Sequence, residues 1–400
     1  MPRITSLLTY ADCIDLLIEF ANGQGGSAHI PVVKRAIESA YDDIAMAHEW
    51  SFLERNGRVA INARQTTGSI TYDHTGGSSE RLCTLVTGTC PSWIDDAAVR
   101  LGSNDVVCDV EDGTSGASTF TLDAMMNPGE DVAAGSDYVL YQRYVRLPSD
   151  FRRFVVPMAE KQWRLGVELS LAELFAFDMY DSSTDQIRYF AVAEVPDLYD
   201  QKALFVWPQP KNTETISFSY VRWPRVLRYS GYDVSVDSAG TITATAGSSA
   251  VVGSSTAFDD SMVGAILRIG TAATPRPTGR YGESPYGEER AIVAVTDTTH
   301  LTLDANVATT RSAVAYTITD PIDVGRVAKN AFLRRAEFYV LAGLQIQNDR
   351  GQKTALLRDA ERLADRALIE AMGADNSTYY SPVKDRPFTG EIPYTIGDDN

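Results

Sequence analysis

The stretch AFDDSMVGAILRIG, residues 257–270, decides how the chain reads, because SWIDDAAVRLG at 92–102 repeats its plan. Each runs from an aromatic residue through Asp-Asp to an apolar, Arg, apolar, Gly sequence. The pairs Asp95–Asp96 and Asp259–Asp260 invite a calcium or acid–base reading. Adjacent residues in a turn point apart, however, and Asp shapes turns by bonding its own backbone. Nothing nearby completes the six to eight oxygen ligands that Ca²⁺ takes. The spacing therefore predicts a turn, followed by an Ile266, Leu267, Ile269 run that feeds a small core.

The repeat extends beyond this signature. GTITATA (240–246) answers GSITYDH (68–74), THLTLD (299–304) answers STFTLD (118–123), and AYTIT (315–319) answers YVLYQ (138–142). Alternating apolar and polar residues between turn residues read as short strands. Two related all-β modules follow, one within 58–146 and one at 231–319. The interval between the Asp pair and the closing Asp is 28 residues from Asp95 to Asp123 and 45 from Asp259 to Asp304. PRPTGRYGESPYGEE (275–289) accounts for the excess as a long exposed loop.

Around the modules the period is helical. Residues 1–57 hold two helices. The first opens on a Thr9–Asp12 capping box and carries Ile14, Leu17, Ile18 and Ala21 on one face, with Gly23 as its stop. The second has Pro31 in its first turn and a Val33, Ile37, Ala40, Tyr41, Ile44, Ala47 face reaching about Trp50. A mixed segment, 147–230, contains the extended LPSDFRRF, a short helix capped by Ser170 and Glu173, and a three-stranded meander at 187–224. At 320–373 Asp320 caps, Pro321 starts and Gly373 ends a helical hairpin; 374–400 is an extended tail. The fold class expected is α+β: a helical core with a small meander and two inserted β modules.

Composition narrows the function classes. The 400 residues carry a net charge of −17. That balance argues against wrapping nucleic acid on a basic surface, while an acidic wall suits a conduit for DNA. No apolar run approaches 18 residues, and the N-terminus lacks a leader followed by a cleavage site, so a product made in the cytoplasm and without a membrane span is expected. Cys13, Cys83, Cys90 and Cys108 form no C-x-x-C pair and read as buried thiols, with a disulfide among Cys83, Cys90 and Cys108 as the alternative. His29, His48, His74 and His300 share no ligand spacing, and no G-x-S-x-G or Walker A motif occurs. Neither an enzyme activity nor a cofactor or metal is expected.

Two regions stand out as interaction candidates. Residues 323–372 hold nine basic and seven acidic side chains in an acidic protein, so Arg334, Arg335, Arg358, Arg362 and Arg366 are candidates for an interface with an acidic neighbour such as another copy. In the tail, Tyr379, Tyr380, Phe388 and Tyr394 are the anchor type favoured in interfaces, set among prolines.

The order AIESAYDDIAMAHEWSF (36–52), LPSDFRRF (147–154), SLAEL (170–174), RYFAV (188–192), LFVWPQP (204–210), ISFSYVRWP (216–224) and DPIDV (320–324) resembles head-to-tail adaptor proteins of tailed bacteriophages, the tail tubular protein A type included. The resemblance spans most of the chain through order and texture. It implies a virion protein at the head–tail junction, forming a homo-oligomeric ring, usually a dodecamer, below the portal protein. The ring would surround genomic DNA without reading it, the C-terminal tail would dock on the portal, and the far side would receive a nozzle or tail tube. Two elaborated β modules depart from that pattern. The alternative is a β-module binding protein, for carbohydrate or surface adhesion, with Trp93, Tyr281 and Tyr286 as its aromatic platforms.

Overall fold

The computed structural model describes residues 8–21, 29–75, 80–102, 106–155, 159–160, 163–164, 167–176, 187–195, 201–271, 286–348 and 355–379. Among them the helices are α1 (Tyr10–Phe20), α2 (Ile30–Ala47), α3 (Leu171–Ala176), α4 (Lys329–Asn348) and α5 (Ala355–Tyr379). Against these five helices stand 23 strands in five sheets. The molecule is thus mostly β, which corrects the expected helical-core α+β class. Helical periodicity is a local signal and easily read, whereas strand pairing joins residues far apart in sequence. The chain divides into two compact units, Leu53–Trp223 and a discontinuous unit of Met1–Phe52 with Pro224–Asn400.

The continuous unit contains β1 (Glu54–Ile61), β2 (Ser69–Asp73), β3 (Leu82–Thr87), β4 (Ala97–Leu101), β5 (Val107–Gly113), β6 (Thr119–Leu122), β7 (Val132–Ser136) and β8 (Tyr138–Gln142). It continues through β9 (Val145–Arg146), β10 (Phe151–Phe154), β11 (Ala159–Glu160), β12 (Trp163–Arg164), β13 (Val167–Glu168), β14 (Tyr189–Glu194), β15 (Lys202–Trp207) and β16 (Glu214–Arg222). The first module is a seven-stranded sheet of order β7-β2-β3-β6-β5-β4-β8. Its core is the inward half of each alternation, including Ile70, Tyr72, Cys83, Leu85, Val99, Leu101, Phe120, Leu122 and Leu140.

Two expectations for this unit need correction. Strand β1 lies outside the module: it pairs antiparallel with β16 over its whole length, Glu54 with Val221 through Ile61 with Glu214. The meander is split between sheets, because β14 and β15 join β13 and β9 while β16 joins β1 and β10. Aromatic packing holds the β1-β16-β10 sheet, with Phe151 stacked 5.5 Å from Tyr220 and Phe154 edge-on 5.2 Å from Phe218.

In the discontinuous unit, β17 (Thr241–Ala244), β18 (Ala250–Ser254), β19 (Ile266–Ile269), β20 (Glu288–Asp297), β21 (His300–Leu303), β22 (Arg311–Val314) and β23 (Tyr316–Thr319) form the second module. Its order is β22-β17-β18-β21-β20-β19-β23, element for element that of the first. The register repeats too: Val99 faces Leu140 across β4 and β8 as Leu267 faces Ile318 across β19 and β23. Leu267 and Ile269 enter the module core with Ile318 and Tyr316. Ile266 does not; it lies on the other face of the strand, buried outside that core. Glu288 and Glu289, assigned to the exposed loop, are strand residues of β20.

The helices of this unit pack together, α4 against both α2 and α5, and α1 against α2 and α4. On α2, Val33, Ala36, Ile37, Ala40, Tyr41 and Ile44 are buried at helical spacing. They meet Ala331, Phe332, Ala336 and Val340 of α4, small residues alternating with large ones. The α1 capping box forms as its spacing predicts. Helix α4, however, begins at Lys329, not at Pro321, and α5 runs past Gly373 to Tyr379. No helix among the described residues is long and apolar enough to cross a membrane.

Candidate functional site

The densest charge cluster lies on the outer face of the second module, and it is built by the repeated arginine. Arg268, 3% exposed, projects from β19 on the face opposite the module core. Its guanidinium donates to Thr9 Oγ1 at 3.0 Å and to Asp12 Oδ1 at 2.7 Å. Its Nε lies 2.9 Å from Glu289 Oε1, an ion pair without straight hydrogen-bond geometry. The plane sits 4.7 Å over the Tyr286 ring. Burial works against this cation, but Asp12, Tyr286 and Glu289 outweigh it and hold its pKa above the ordinary value. Ala11 N donates to Thr319 Oγ1 on the adjacent strand, so the whole opening turn of α1 is seated on this face.

Asp320 organises a second cluster. It is fully buried and accepts from Arg225 Nε, Arg228 N and Tyr229 N. Those bonds replace the helix cap predicted for it, and they tie the segment after the meander to the exit of β23. A third carboxylate, Asp375 of α5, accepts from Ser51 N at 3.2 Å and Ser51 Oγ at 2.6 Å. His48 Nε2 lies 3.2 Å from it, with its ring edge-on to Trp50.

The Asp pairs behave as turn residues. Asp259 accepts from Ser261 N and opens a short 3₁₀ turn, and Asp96 holds Arg146 at 2.7 Å. Of the histidines, His74 meets the Tyr72 hydroxyl and His300 meets Asp297 across a hairpin turn. The hairpin's bonds from His300 and Thr299 hold the Asp297 carboxyl well below the usual carboxylate range. All four cysteines are buried thiols, and burial pushes the Cys108 thiol up to about 11. Among the described residues no group of three or more His, Cys, Asp and Glu is placed to hold a metal ion.

The five predicted interface arginines separate. Arg335 is committed inside the chain, 3.2 Å from Asp365 of α5 and 3.6 Å from Asp43 of α2. Arg334 pairs with Glu337, Arg362 with Asp359 and Arg366 with Glu370, each along its own helix. Arg358 is exposed and pairs with no described residue. Of the tail anchors, Tyr379 closes α5, while Tyr380, Phe388 and Tyr394 lie outside the described residues. Tyr286 is buried under Arg268, Trp93 packs against the first module's core, and Tyr281 lies outside the described residues.

The chain matches no protein-family model, no curated protein and no solved structure. The buried ionisable clusters each join residues distant in sequence. Sequence reasoning missed Arg268 and Asp375. The signal for the first was present, since the same Arg stands in both copies of the repeat as Arg100 and Arg268. Nothing local marks Asp375.

Proposed function

We propose that this chain is a structural subunit of a tailed-phage neck, a head-to-tail adaptor that forms a ring below the portal. The supporting observation is how the chain closes on itself. Helices α2 and α4, separated by the whole continuous unit and the second module, pack face to face, and Asp375 of α5 grips Ser51 at the exit of α2. Two of the seven segments that carry the adaptor resemblance fall on these joints: 36–52 covers α2 and its exit, and 320–324 leads toward α4. On this reading the two β modules elaborate the ring and touch neighbours or tail components. An overall charge of −17 keeps DNA in transit from adhering.

The test is light scattering and negative-stain imaging of the full chain, alone and mixed with the portal protein of the same phage. Ring-shaped class averages are expected under one of these conditions. A protein that remains monomeric in both overturns the reading, and glycan capture by that monomer would favour the binding-module alternative.

A further inference from the structure

The opening turn of α1 is held to the second module by charge. Asp12 and Glu289 lie against Arg268 at 2.7 and 2.9 Å, so two carboxylates already face the one guanidinium. Asp15, one turn further along α1, adds a third carboxylate to the same seat. It is half-buried and accepts from the hydroxyl of Tyr232, which belongs to the segment before β17. Tyr10, Ala11, Cys13, Ile14 and Leu17 form the buried side of the helix, which packs against α2 and α4.

Among the described residues, the other charged groups packed around α1 have partners of their own. On α2, Glu38 accepts from the Tyr10 hydroxyl at 2.9 Å, and the Lys34 charge reaches Asp233. On α4, the Lys329 charge reaches Cys13. Tyr286 of β20 lies under Arg268, Asp320 is taken by Arg225 and two amides, and Asp237 accepts from Ser230. Burial therefore dominates at Asp15. It is opposed by the Tyr232 bond, reinforced by Asp12 and relieved only weakly by Arg268, and the balance pushes the carboxyl up to about 6. Between about pH 4 and 6 the seated helix holds a proton that the separated helix would release. Above that window, seating α1 means burying a third negative charge beside Asp12 and Glu289.

We propose that α1 is a proton-sensitive latch on the second module: with Asp15 protonated it stays seated, and loss of that proton lets α1 open as a unit while α2, α4 and the module remain folded. The latch belongs to the single chain and stands apart from the ring reading. A helix of 11 residues is marginal alone in water, so the opened α1 unwinds and its amides meet solvent. Opening also uncovers Arg268 and Thr319 on the outer face of the module, where Thr9, Ala11 and Asp12 had covered them.

Hydrogen exchange of the full chain from pH 5 to 7.5, read by mass spectrometry and corrected for the intrinsic pH dependence of amide exchange, tests this. The open fraction of α1 is expected to rise about tenfold over that range, because seating raises the proton affinity of Asp15 about a hundredfold. Protection of α2 and of β19 to β23 is expected to change far less. Asp15→Asn keeps an acceptor for Tyr232 and should hold the open fraction at its pH 5 level throughout. Tyr232→Phe removes a bond that favours the charged carboxylate, so it should move the rise to higher pH. An open fraction that stays level in the wild type, or a rise that survives in Asp15→Asn, overturns the latch. Exchange of α1 only in step with α2 overturns it too, since the helix would then be part of one cooperative block. If Asp15→Asn fails to fold, the Tyr232→Phe profile decides: a rise left at the wild-type pH removes Asp15 as the controlling group.

Discussion

Asp375 accepts two hydrogen bonds from Ser51, a residue 324 positions earlier in the chain. The carboxylate is 1% exposed, and it does for the short 3₁₀ turn at Ser51–Leu53 what an N-cap side chain does for a helix. Asp375→Ala would leave the Ser51 donors and the His48 ring facing an empty, desolvated position. We expect a loss of about 2–4 kcal/mol in urea unfolding, since hydrogen bonds to buried charged groups are the costly ones to break. Asp375→Asn keeps an acceptor and should lose less.

That clamp sets where the tail can be cut. Helix α5 runs to Tyr379, beyond the Gly373 stop that local sequence suggests. Deleting 380–400 should leave the melting temperature unchanged. Deleting 374–400 removes Asp375 and should lower it as the alanine variant does. If the tail anchors the portal, the shorter deletion abolishes co-purification with the portal protein while the melt stays intact.

Arg268 and Arg100 should respond differently to the same substitution. Arg268→Ala leaves Asp12 and Glu289 as an uncompensated pair of carboxylates beside a buried ring, at a cost of about 3–5 kcal/mol. Arg100→Ala removes a side chain with no described partner and should cost the isolated monomer under about 1 kcal/mol. Chemical denaturation of both variants checks the contrast. Equal losses would mean that the two arginines do the same work within one chain.

The repeat was legible because it is written locally, in period-two alternation and in turn residues on either side of the Asp pairs. Identical strand order in two seven-stranded sheets follows from it. Pairing across distance was not legible. Nothing in ERNGRVAI (54–61) says that its partner is ETISFSYVR (214–222) rather than the next strand along. The class was misjudged for the same reason: long amphipathic helices announce themselves, while strands of two to ten residues need their partners in view. Asp320 shows the effect at one residue. Asp-Pro before an apolar run is a sound cap signal, but the half-buried Arg225 and two backbone amides claimed the carboxylate first.

Residues 275–284 should be dispensable to the second module. Strands β19 and β20 pair directly, with Ile269 opposite Glu288, so their near ends can be joined by a short turn. Replacing 275–284 with a few Gly and Ser residues is expected to leave the melt unchanged. Extending the deletion to 289 removes Tyr286, Glu288 and Glu289, strips Arg268 of two contacts, and should destabilise the protein in the same assay.

The seat of α1 carries a pH dependence whose sign can be worked out. Burial pushes the Asp15 carboxyl up to about 6, opposed by the hydrogen bond from the Tyr232 hydroxyl and reinforced by Asp12. Arg268 pulls the other way, and only weakly. An unfolded Asp titrates near 3.9, so between about pH 4 and 6 the folded chain holds a proton that the unfolded chain has released. Stability from this residue therefore falls as pH rises through that window and stays low above it. Asp15→Asn is neutral throughout and still accepts from Tyr232. It should match the wild type near pH 4 and exceed it above pH 6, by about 1–2 kcal/mol after allowance for partial solvent screening. Urea unfolding of both proteins from pH 4 to 7.5 measures the gap directly. A gap that stays flat with pH would show that Asp15 keeps an ordinary affinity for its proton, and one that opens toward acid would reverse the assignment.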